Sequence, residues 1–351
     1  MIHLITTIER GGAENQLLVV VKAQIASKRE VHVIYLKGSP ELESELTSVG
    51  AFVNRSLAGL NPILQILKLR VLLRRKNWIL HCHLPRAELL GSFAANRVNL
   101  VVSRHNAEPF FPAAPKLLSK RLSRFVCTRA SSVVAISEAV KEYLMASGEV
   151  PVSKRVEVIP YGYAPSNPRA LSEQSLVNTP LKLGTVSRLA PQKDLHTLIR
   201  VFERYHELFP ESTLSIVGGG PLELELKELV LELGLGHSVN FEGRSGAVMK
   251  HIKSWDVFLL TSKYEGFGMV LLEAMDASVP IIASNNSAIP EVLGRNFPGL
   301  GKTGDVDSFV ELLIELQDPI RREALLRIQE TRLDLFKVDT MLLRMDSIYR
   351  V

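Results

Sequence analysis

The sequence predicts an α/β protein built from two Rossmann-like domains, each with a parallel sheet, that face each other across an interdomain cleft. Short apolar runs alternate with longer helical patterns along most of the chain. Such alternation is typical of right-handed βαβ units, in which helices cover both faces of a parallel sheet. The pattern stops at a polar, proline-bearing stretch over 161–180 and restarts at residue 181. At 351 residues and 46% hydrophobic composition, the chain is long enough for two such cores.

The elements follow in order. Six predicted strands of the first half lie in 2–7, 31–36, 78–83, 100–105, 132–137 and 156–160, with helical patterns over 13–27, 63–75 and 88–97. Five predicted strands of the second half lie in 181–187, 213–218, 239–243, 256–262 and 280–285. The predicted domains are therefore 1–165 and 181–334, with a linker over 166–180. We expect the closing segment, 335–351, to be a helix that packs back on the N-terminal domain.

Charge is distributed unevenly between the two halves. Residues 1–170 hold 23 Lys and Arg against 12 Glu, a net charge of +11, whereas residues 171–351 hold 19 against 25 Asp and Glu, a net charge of −6. Basic and apolar residues mix in 67–78 and 116–125. This composition suits either two solvated helix faces or helices that lie on an anionic membrane surface. Few aromatic residues interleave with these charges, so nucleic acid is not an expected partner.

The start of the chain and its cysteines indicate the compartment. The N-terminus begins with a strand-like pattern rather than a signal peptide, and no stretch has the length of a membrane span. The two cysteines lie far apart and lack the spacing of a zinc site. We therefore expect a cytoplasmic protein without structural disulfides, at most peripheral to the membrane.

Ligands of parallel α/β sheets bind where strands end and helices begin, so the strand-to-helix turns are the candidate site. Arg188 and Lys193 share one such turn, and two cations before a helix suit a diphosphate. Gly11 and Gly12 form another turn, which an anionic group could approach closely. A third turn, "KYEGFGMVLLEAM", places Glu265 before a Gly-Phe-Gly sequence and Glu273 within the following helix.

Several common site types do not fit the sequence. The dinucleotide fingerprint G-x-G-x-x-G is absent at Gly12 and at "VGGGPLE", which disfavours a nicotinamide enzyme. The "GLGKTGD" segment lacks the first glycine and the preceding strand of a P-loop. His81, His83 and His105 lie at or near strand ends, and His105 is the best placed for a functional role. A metal site at His81 and His83 would need a third ligand from elsewhere in the chain.

Taken in order and spacing, these turns resemble glycosyltransferase family 4, the retaining, nucleotide-sugar-dependent enzymes of the GT-B fold. The resemblance covers roughly residues 1–318. It depends on the segments "GGAE", "HCHLPRAELLG", "SRHN", "VVAISEAV", "VSRLAPQKDLHTLI", "LSIVGGGP", "NFEGR", "TSKYEGFGMVLLEAM" and "AIPEVLG". It implies that the second domain binds the nucleotide sugar and the first binds the acceptor.

The resemblance also implies a role for individual residues. Arg188 and Lys193 would bind the donor diphosphate, Glu273 the ribose hydroxyls, and Glu265 would lie beside the transferred sugar. The remaining implied positions are backbone donors at Gly266, Phe267 and Gly268, Gly12 near the diphosphate, His105 near the reacting face of the sugar, and the base-contacting segment Glu242, Gly243 and Arg244. By the same resemblance, His105, Glu265, Arg188 and Lys193 form the catalytic set. Tyr161 departs from the family pattern, which has Asn at this position.

The function that follows is a retaining transfer of a hexosyl or N-acetylhexosaminyl group from a nucleotide sugar, with a UDP-sugar favoured. The expected acceptor is a membrane-associated glycan or glycolipid of bacterial surface polysaccharide or lipopolysaccharide synthesis, on the inner face of the cytoplasmic membrane. Neither a cofactor nor a metal is expected. Two alternatives stay open: a GT-B nucleotide-sugar epimerase or hydrolase, and a non-catalytic sugar-binding protein.

Overall fold

A computed structural model describes residues 1–74, 78–96, 98–165 and 181–350. The chain divides into two compact units, Met1–Ala164 with Phe336–Val351 and Pro165–Leu335. Each unit is an α/β layer structure around one parallel sheet. The predicted linker, 166–180, lies outside the described residues.

The first unit is built on a seven-stranded sheet in the order β3-β2-β1-β4-β5-β6-β7, and all its strand pairs are parallel. Its strands are β1 (Ile2–Ile5), β2 (His32–Tyr35), β3 (Phe52–Asn54), β4 (Ile79–His83), β5 (Asn99–Arg104), β6 (Ser132–Ala135) and β7 (Val156–Val158). Its helices before the linker are α1 (Gly12–Ala26), α2 (Glu43–Ser48), α3 (Pro62–Leu73), α4 (Pro85–Ala94), α5 (Lys116–Arg129) and α6 (Glu138–Ala146).

The second unit is built on a six-stranded sheet in the order β10-β9-β8-β11-β12-β13, again with parallel pairs. Its strands are β8 (Lys182–Val186), β9 (Thr213–Val217), β10 (Val239–Gly243), β11 (Val257–Leu260), β12 (Ile281–Ser284) and β13 (Leu300–Gly301). Its helices are α7 (Leu195–Leu208), α8 (Glu223–Glu232), α9 (Val248–Ile252), α10 (Met269–Asp276), α11 (Ile289–Leu293), α12 (Val306–Glu315) and α13 (Pro319–Leu333), with a 3₁₀ turn at Pro191–Lys193.

The last helix, α14 (Val338–Tyr349), belongs to the first unit although the second unit precedes it in sequence. Its buried face joins one hydrophobic cluster with residues of α1, β5, β6 and the segment after β7. The members of that cluster are Val20, Val101, Val134, Ile159, Met341, Met345, Ile348 and Tyr349. The strand order in each unit reverses beside the first strand, between β1 and β4 and between β8 and β11. Ligand sites of open α/β sheets lie outside the carboxyl ends of the strands at this reversal.

The α/β class and both parallel sheets confirm the fold class that the sequence predicts. Two strands were not predicted, β3 and β13, which have three and two residues. Both lie at an end of their sheet. β13 is too short to produce a pattern, and β3, although as long as the predicted β7, has no fully buried residue. Among the described residues, no helix is both long enough and apolar enough to cross a membrane.

Candidate functional site

The turn after β8 carries Arg188 and Lys193. Arg188 is exposed, and its guanidinium has no ion-pair partner within the described part of the chain. Lys193 ends the 3₁₀ turn, and its ammonium group lies 2.6 Å from a carboxylate oxygen of Glu265. Asp194 follows in a left-handed conformation, φ 47°, at the start of α7, and it accepts a hydrogen bond from Lys263 at 2.9 Å. The sheet therefore brings together two turns that are about 70 residues apart in sequence.

Three glycines after β9 hold the Arg188 turn in place through close backbone contacts. A Cβ atom on Gly218 would lie 1.9 Å from the carbonyl oxygen of Ser187, and one on Gly220 would lie 2.3 Å from that of Leu189. The amide of Leu189 also donates to the carbonyl of Gly219 at 3.2 Å. Gly218 and Gly220 of "VGGGP" are thus required by packing against the Arg188 turn, which is a structural role for these glycines.

Glu265 is buried, and neighbouring residues form hydrogen bonds with its carboxylate and its backbone. One carboxylate oxygen accepts from Lys193 and, at 2.9 Å, from the hydroxyl of Ser262. The Glu265 amide donates to the Ser287 hydroxyl at 2.9 Å, and the same hydroxyl donates to the Glu265 carbonyl. Ser287 has φ 55°. Sequence analysis did not identify Ser262 or Ser287, because a serine in a polar loop has no pattern that predicts such contacts.

The Gly-Phe-Gly turn leads into α10. Phe267 is buried, and Gly268 precedes the helix with φ 88°, a conformation that glycine adopts without strain. The N-terminal backbone amides of α10 follow directly, at the carboxyl end of β11. Such an end, with the positive pole of the helix dipole, favours an anionic ligand.

Glu273 lies in α10 and differs from Glu265 in its surroundings. Its side chain is half-buried, and its carboxylate has no hydrogen-bond partner among the described residues. Burial raises its pKa above the ordinary value for glutamate. A desolvated carboxylate without donors is a suitable partner for ligand hydroxyl groups.

The Glu242–Arg244 segment ends β10. Gly243 has φ 68°, and the pairing register with β9 shifts between Phe241 and Gly243. The Gly243 carbonyl accepts from the Gly218 amide at 2.8 Å, and the Arg244 side chain lies against Gly219. Glu242, Gly243 and Arg244 are therefore next to the glycines that support the Arg188 turn.

The chain contains one Asp-x-Asp sequence, Asp305-Val306-Asp307, which is the spacing of many metal-dependent transferases. Asp305 caps α12 by accepting from the Ser308 amide at 3.2 Å, and it pairs with Lys302 at 3.0 Å. The hydrogen bond from Lys302 lowers the pKa of Asp305. Helix capping accounts for this sequence.

In the first unit, Gly12 is the first residue of α1, directly after the turn that follows β1. Within 4 Å of the position that a Gly12 Cβ would take, the structure places no atom of a described residue, whereas a Cβ on Gly11 would meet the carboxylate of Glu14 at 2.5 Å. Glu14 accepts a hydrogen bond from Thr7 at 2.7 Å, and burial raises its pKa. At the start of α1, the space next to the Cα atom of Gly12 is therefore free of described residues, whereas the Glu14 carboxylate fills the space next to that of Gly11.

His105 follows β5, and both of its ring nitrogens have partners within the first unit. Nδ1 lies 2.5 Å from the Tyr161 hydroxyl, and Nε2 lies 3.3 Å from Nδ1 of His83. Burial and the neighbouring Arg104 lower the pKa of His105 to about 3. The imidazole is therefore neutral at physiological pH.

A cavity of about 70 Å³ adjoins His105, and a buried charge cluster forms part of its wall. Arg104 lies 2.9 Å from Glu88 and 3.8 Å from Glu149, so one guanidinium faces two buried carboxylates. Burial raises the pKa of Glu88 to about 7, and the charge of Glu149 adds to the shift while Arg104 opposes it. The residues that line the cavity are Leu84, Pro85, Glu88, Arg104, His105, Asn106, Glu108, Pro109, Phe110 and Pro112.

Comparison with known proteins assigns a family to this arrangement. A family model described as Glycosyltransferase Family 4 matches residues 10–167, and one described as Glycosyl transferases group 1 matches residues 168–327. A UDP-Gal:alpha-D-GlcNAc-diphosphoundecaprenol alpha-1,3-galactosyltransferase of Escherichia coli is 26% identical over 311 residues, which are 82% of this chain and 80% of that protein. A GDP-mannose-dependent monoacylated alpha-(1-6)-phosphatidylinositol monomannoside mannosyltransferase of Corynebacterium glutamicum is 28% identical over 262 residues, 69% of this chain and 67% of that protein.

Solved structures agree with the fold. The Anabaena protein HepE, determined in complex with UDP and glucose, superposes with a TM-score of 0.80 at 20% identity, over 99% of this chain and 98% of that one. At this identity the likeness establishes the fold alone. The two family models together span most of the chain, and each matches mainly one of the two units. The chain therefore belongs to glycosyltransferase family 4 and has the GT-B fold.

Proposed function

We propose that this glycosyltransferase transfers a hexosyl or N-acetylhexosaminyl group from a UDP-sugar, with retention of configuration, to a membrane-associated glycan or glycolipid acceptor. The observation that carries the proposal is the difference between the partners of Glu265 and of Glu273, which both lie in the β11–α10 connection. Glu265 is held by Lys193 and Ser262, whereas the half-buried Glu273 has no donor among the described residues. A nucleoside diphosphate sugar supplies what this arrangement lacks: hydroxyl donors for Glu273 and anionic oxygens for Arg188.

In the proposed reaction, negative charge develops on the leaving diphosphate while the sugar becomes oxocarbenium-like. Arg188, Lys193 and the amides at the start of α10 are the groups that would stabilise this charge. With those cations present, the proposed mechanism needs neither a metal nor a cofactor. Retention would follow from attack on the face that the nucleotide leaves, with the departing phosphate accepting the acceptor's proton.

The choice of acceptor is supported by one surface of the first unit, which we call the basic apolar face. It is formed by α3, α4 and α5, since Arg70 of α3 donates to the Phe93 carbonyl of α4 at 2.9 Å and the Phe93 ring lies 4.8 Å from that of Phe125 in α5. Its large exposed apolar residues are Ile63, Leu64, Leu67, Val71, Phe93, Leu117 and Leu118. Its exposed basic residues within the described segments are Lys68, Arg70, Arg74, Lys116, Arg121, Arg124 and Arg129.

Apolar side chains interspersed with Lys and Arg bind anionic bilayers, and each basic residue near the surface contributes about 1 kcal/mol. Two similar proteins are named for lipid-linked acceptors, a diphosphoundecaprenol and a phosphatidylinositol mannoside. We therefore propose a peripheral position on the inner face of the bacterial cytoplasmic membrane and an acceptor of surface polysaccharide or lipopolysaccharide synthesis.

A nucleotide screen by thermal unfolding tests the donor. We expect UDP and UDP-sugars to raise the unfolding temperature more than GDP, GDP-mannose or ADP-glucose. A ligand at 100 times its Kd adds about 2.7 kcal/mol of apparent stability. A larger effect from a guanine nucleotide would contradict the UDP assignment, and no effect from any nucleotide would contradict the donor site itself. Release of UDP that depends on a lipid-linked acceptor, with an α-linked product from an α-linked donor, would support retaining transfer over hydrolysis or epimerisation.

A further inference from the structure

A chain of buried hydrogen bonds connects His105 to the interior of the first unit. Gln24 of α1 lies 2.9 Å from Nε2 of His3, and Nδ1 of His3 lies 3.0 Å from Nε2 of His83. Nδ1 of His83 then lies 3.3 Å from Nε2 of His105, and Nδ1 of His105 meets the Tyr161 hydroxyl at 2.5 Å. We call these five residues the histidine relay. Its members come from α1, β1, β4 and the segments after β5 and β7, which the parallel sheet aligns.

Gln24, the first member of the relay, determines which atom donates and which accepts in every hydrogen bond of the relay. The Gln24 atom that faces His3 is the carbonyl oxygen, which only accepts, so His3 carries its proton on Nε2. Nδ1 of His3 is then an acceptor, and His83 must donate from Nε2. By the same step His105 donates from Nε2 to His83, and its Nδ1 accepts from Tyr161. All three histidines therefore have the same tautomer.

Burial supports the neutral state that this order requires. His3 and His83 are buried, and burial lowers the pKa of His3 to about 4 and that of His83 well below its usual value. Protonation of His83 would turn its Nδ1 into a donor, and His105 would then have to move its proton from Nε2 to Nδ1, towards the Tyr161 oxygen. The common Nε2–H tautomer of the three histidines therefore requires that each imidazole hold a single proton.

A metal site is the competing explanation for these histidines. Nitrogen atoms of His3, His81 and His83 lie within 4.8 Å of one another, so His3 is the third ligand that the sequence pattern of His81 and His83 lacked. However, His81 contacts Tyr349 at Nδ1, 2.8 Å, and Ser103 at Nε2, 2.7 Å. Every ring nitrogen of the three histidines already has a hydrogen-bond partner, and a metal would have to break several of these bonds.

We propose that Gln24, His3, His83 and Tyr161 are positioning residues that hold His105 in one orientation and one tautomer, with the proton on Nε2. This inference rests on the proposed function and on the position that the family resemblance implies for His105, near the reacting face of the sugar. The contact from His105 to His83 is the longest in the relay, at the upper end of hydrogen-bond distances, so a substrate hydroxyl can compete for that proton. Tyr161 occupies Nδ1 and holds the orientation of the ring, while the acceptor Nδ1 of His83 keeps the His105 proton on Nε2.

Nuclear magnetic resonance of the full chain with ¹⁵N-labelled histidine tests the relay without requiring turnover. We expect His3, His83 and His105 to show the Nε2–H pattern, unchanged between pH 5.5 and 8. Gln24→Leu removes the terminal acceptor, and its effect should reach the His105 resonances although the two residues are not in contact. A His105 proton on Nδ1, titration of these rings within that range, or a bound zinc ion in the purified protein would each overturn the relay.

Two tyrosine variants separate positioning from stability. Tyr161→Phe and Tyr349→Phe each remove one buried hydroxyl that contacts a histidine Nδ1. Tyr349 contacts His81, which is not a member of the relay, and of the relay members it contacts only Gln24, the one farthest from His105. We expect a similar fall in unfolding temperature for both. Only Tyr161→Phe should change the His105 nitrogen shifts and lower kcat for UDP release, measured with the UDP-sugar that the nucleotide screen selects, about tenfold, with KM for the donor nearly unchanged.

The outcomes distinguish the two proposals. Equal loss of kcat in both variants, or no loss in Tyr161→Phe, would overturn the positioning role. Absence of UDP release by the parent protein, with the expected resonance pattern, would instead count against the proposed function and leave the relay supported.

Discussion

Glu265 and Glu273 lie on the same strand-to-helix connection, but their carboxylates have different surroundings in the unliganded protein. Glu265 forms an ion pair with Lys193 at 2.6 Å. Burial is the one cause that shifts the pKa of Glu273, and it raises that pKa. An ionised carboxylate in that position costs stability until a ligand supplies donors. Sites that bind ligands tightly commonly retain such a cost in the free protein.

The Glu273→Gln variant tests this trade-off. Because the folded pKa is raised, the folded protein binds the Glu273 proton more readily than the unfolded chain, and ionisation at neutral pH destabilises it. We expect the variant to be more stable than the parent at pH 7–8, and the difference to disappear as pH falls towards the ordinary glutamate value of about 4.3. Loss of hydrogen bonds to a charged group should weaken UDP affinity roughly tenfold to a hundredfold. Urea unfolding across pH and calorimetric titration with UDP measure both effects; lower stability together with unchanged affinity would contradict the assignment.

Other contacts at single residues could not be predicted, because they join segments that are far apart in sequence. Ser287 holds the Glu265 backbone from a loop 22 positions away, and His3 meets His83 across 80 positions. A lone serine in a polar loop or a lone histidine in a strand is compatible with many surroundings. Only the sheet topology decides which of them meet.

At the level of elements, the clearest predicted strands are the ones with uninterrupted apolar runs. β11 and β12 are buried along their whole length, as expected for strands covered on both faces. The edge strand β13 has only two residues, and the edge strand β3 has no fully buried residue, so neither shows the pattern of a core strand. The candidate turns could be located because each of them follows a recognisable strand, and Gly268 at the start of α10 is one example.

The basic apolar face supplies a prediction about helices. The side chains of Ile63 and Leu67 are 71% and 49% exposed, and they lie four residues apart on one side of α3. The double variant Ile63→Glu, Leu67→Glu removes apolar area and adds two negative charges at a surface that we expect to meet anionic lipid. Binding to vesicles with 30% phosphatidylglycerol should fall by roughly tenfold or more, since each glutamate placed against anionic lipid costs on the order of 1 kcal/mol of binding free energy. Co-sedimentation with vesicles measures it.

The second unit offers a control for this double variant, two exposed leucines on one helix. Leu224 and Leu231 of α8 are each 71% exposed, and we expect Leu224→Glu, Leu231→Glu to leave vesicle binding unchanged. Equal binding of the parent protein to phosphatidylcholine vesicles and to anionic vesicles would rule out the electrostatic contribution. Equal loss in both double variants would show that the effect is not specific to the basic apolar face.

At the scale of the whole molecule, the chain leaves the first unit, forms the second and returns. The final helix α14 then completes the core of the first unit, where Met345 packs in the cluster of β5 and β6 valines. Arg29 of the first unit pairs with Asp346 of this helix, which adds a polar contact at its edge. The core of the first unit is therefore complete only when α14 has been synthesised.

This arrangement predicts a selective effect of Met345→Ala. Removing a buried methionine side chain costs about 2–5 kcal/mol, and the described contacts of Met345 lie in the first unit. The chain has two tryptophans, Trp78 in the first unit and Trp255 in the second, so Trp255→Phe and Trp78→Phe backgrounds report the units separately. We expect Met345→Ala to lower the urea midpoint that Trp78 fluorescence reports and to change the Trp255 midpoint little. Met275→Ala, which removes a methionine that is 3% exposed in α10, should do the reverse. A single shared transition that shifts equally in both backgrounds would show that the chain unfolds as one cooperative body, because stepwise unfolding of a two-domain chain requires that each core hold its own stability.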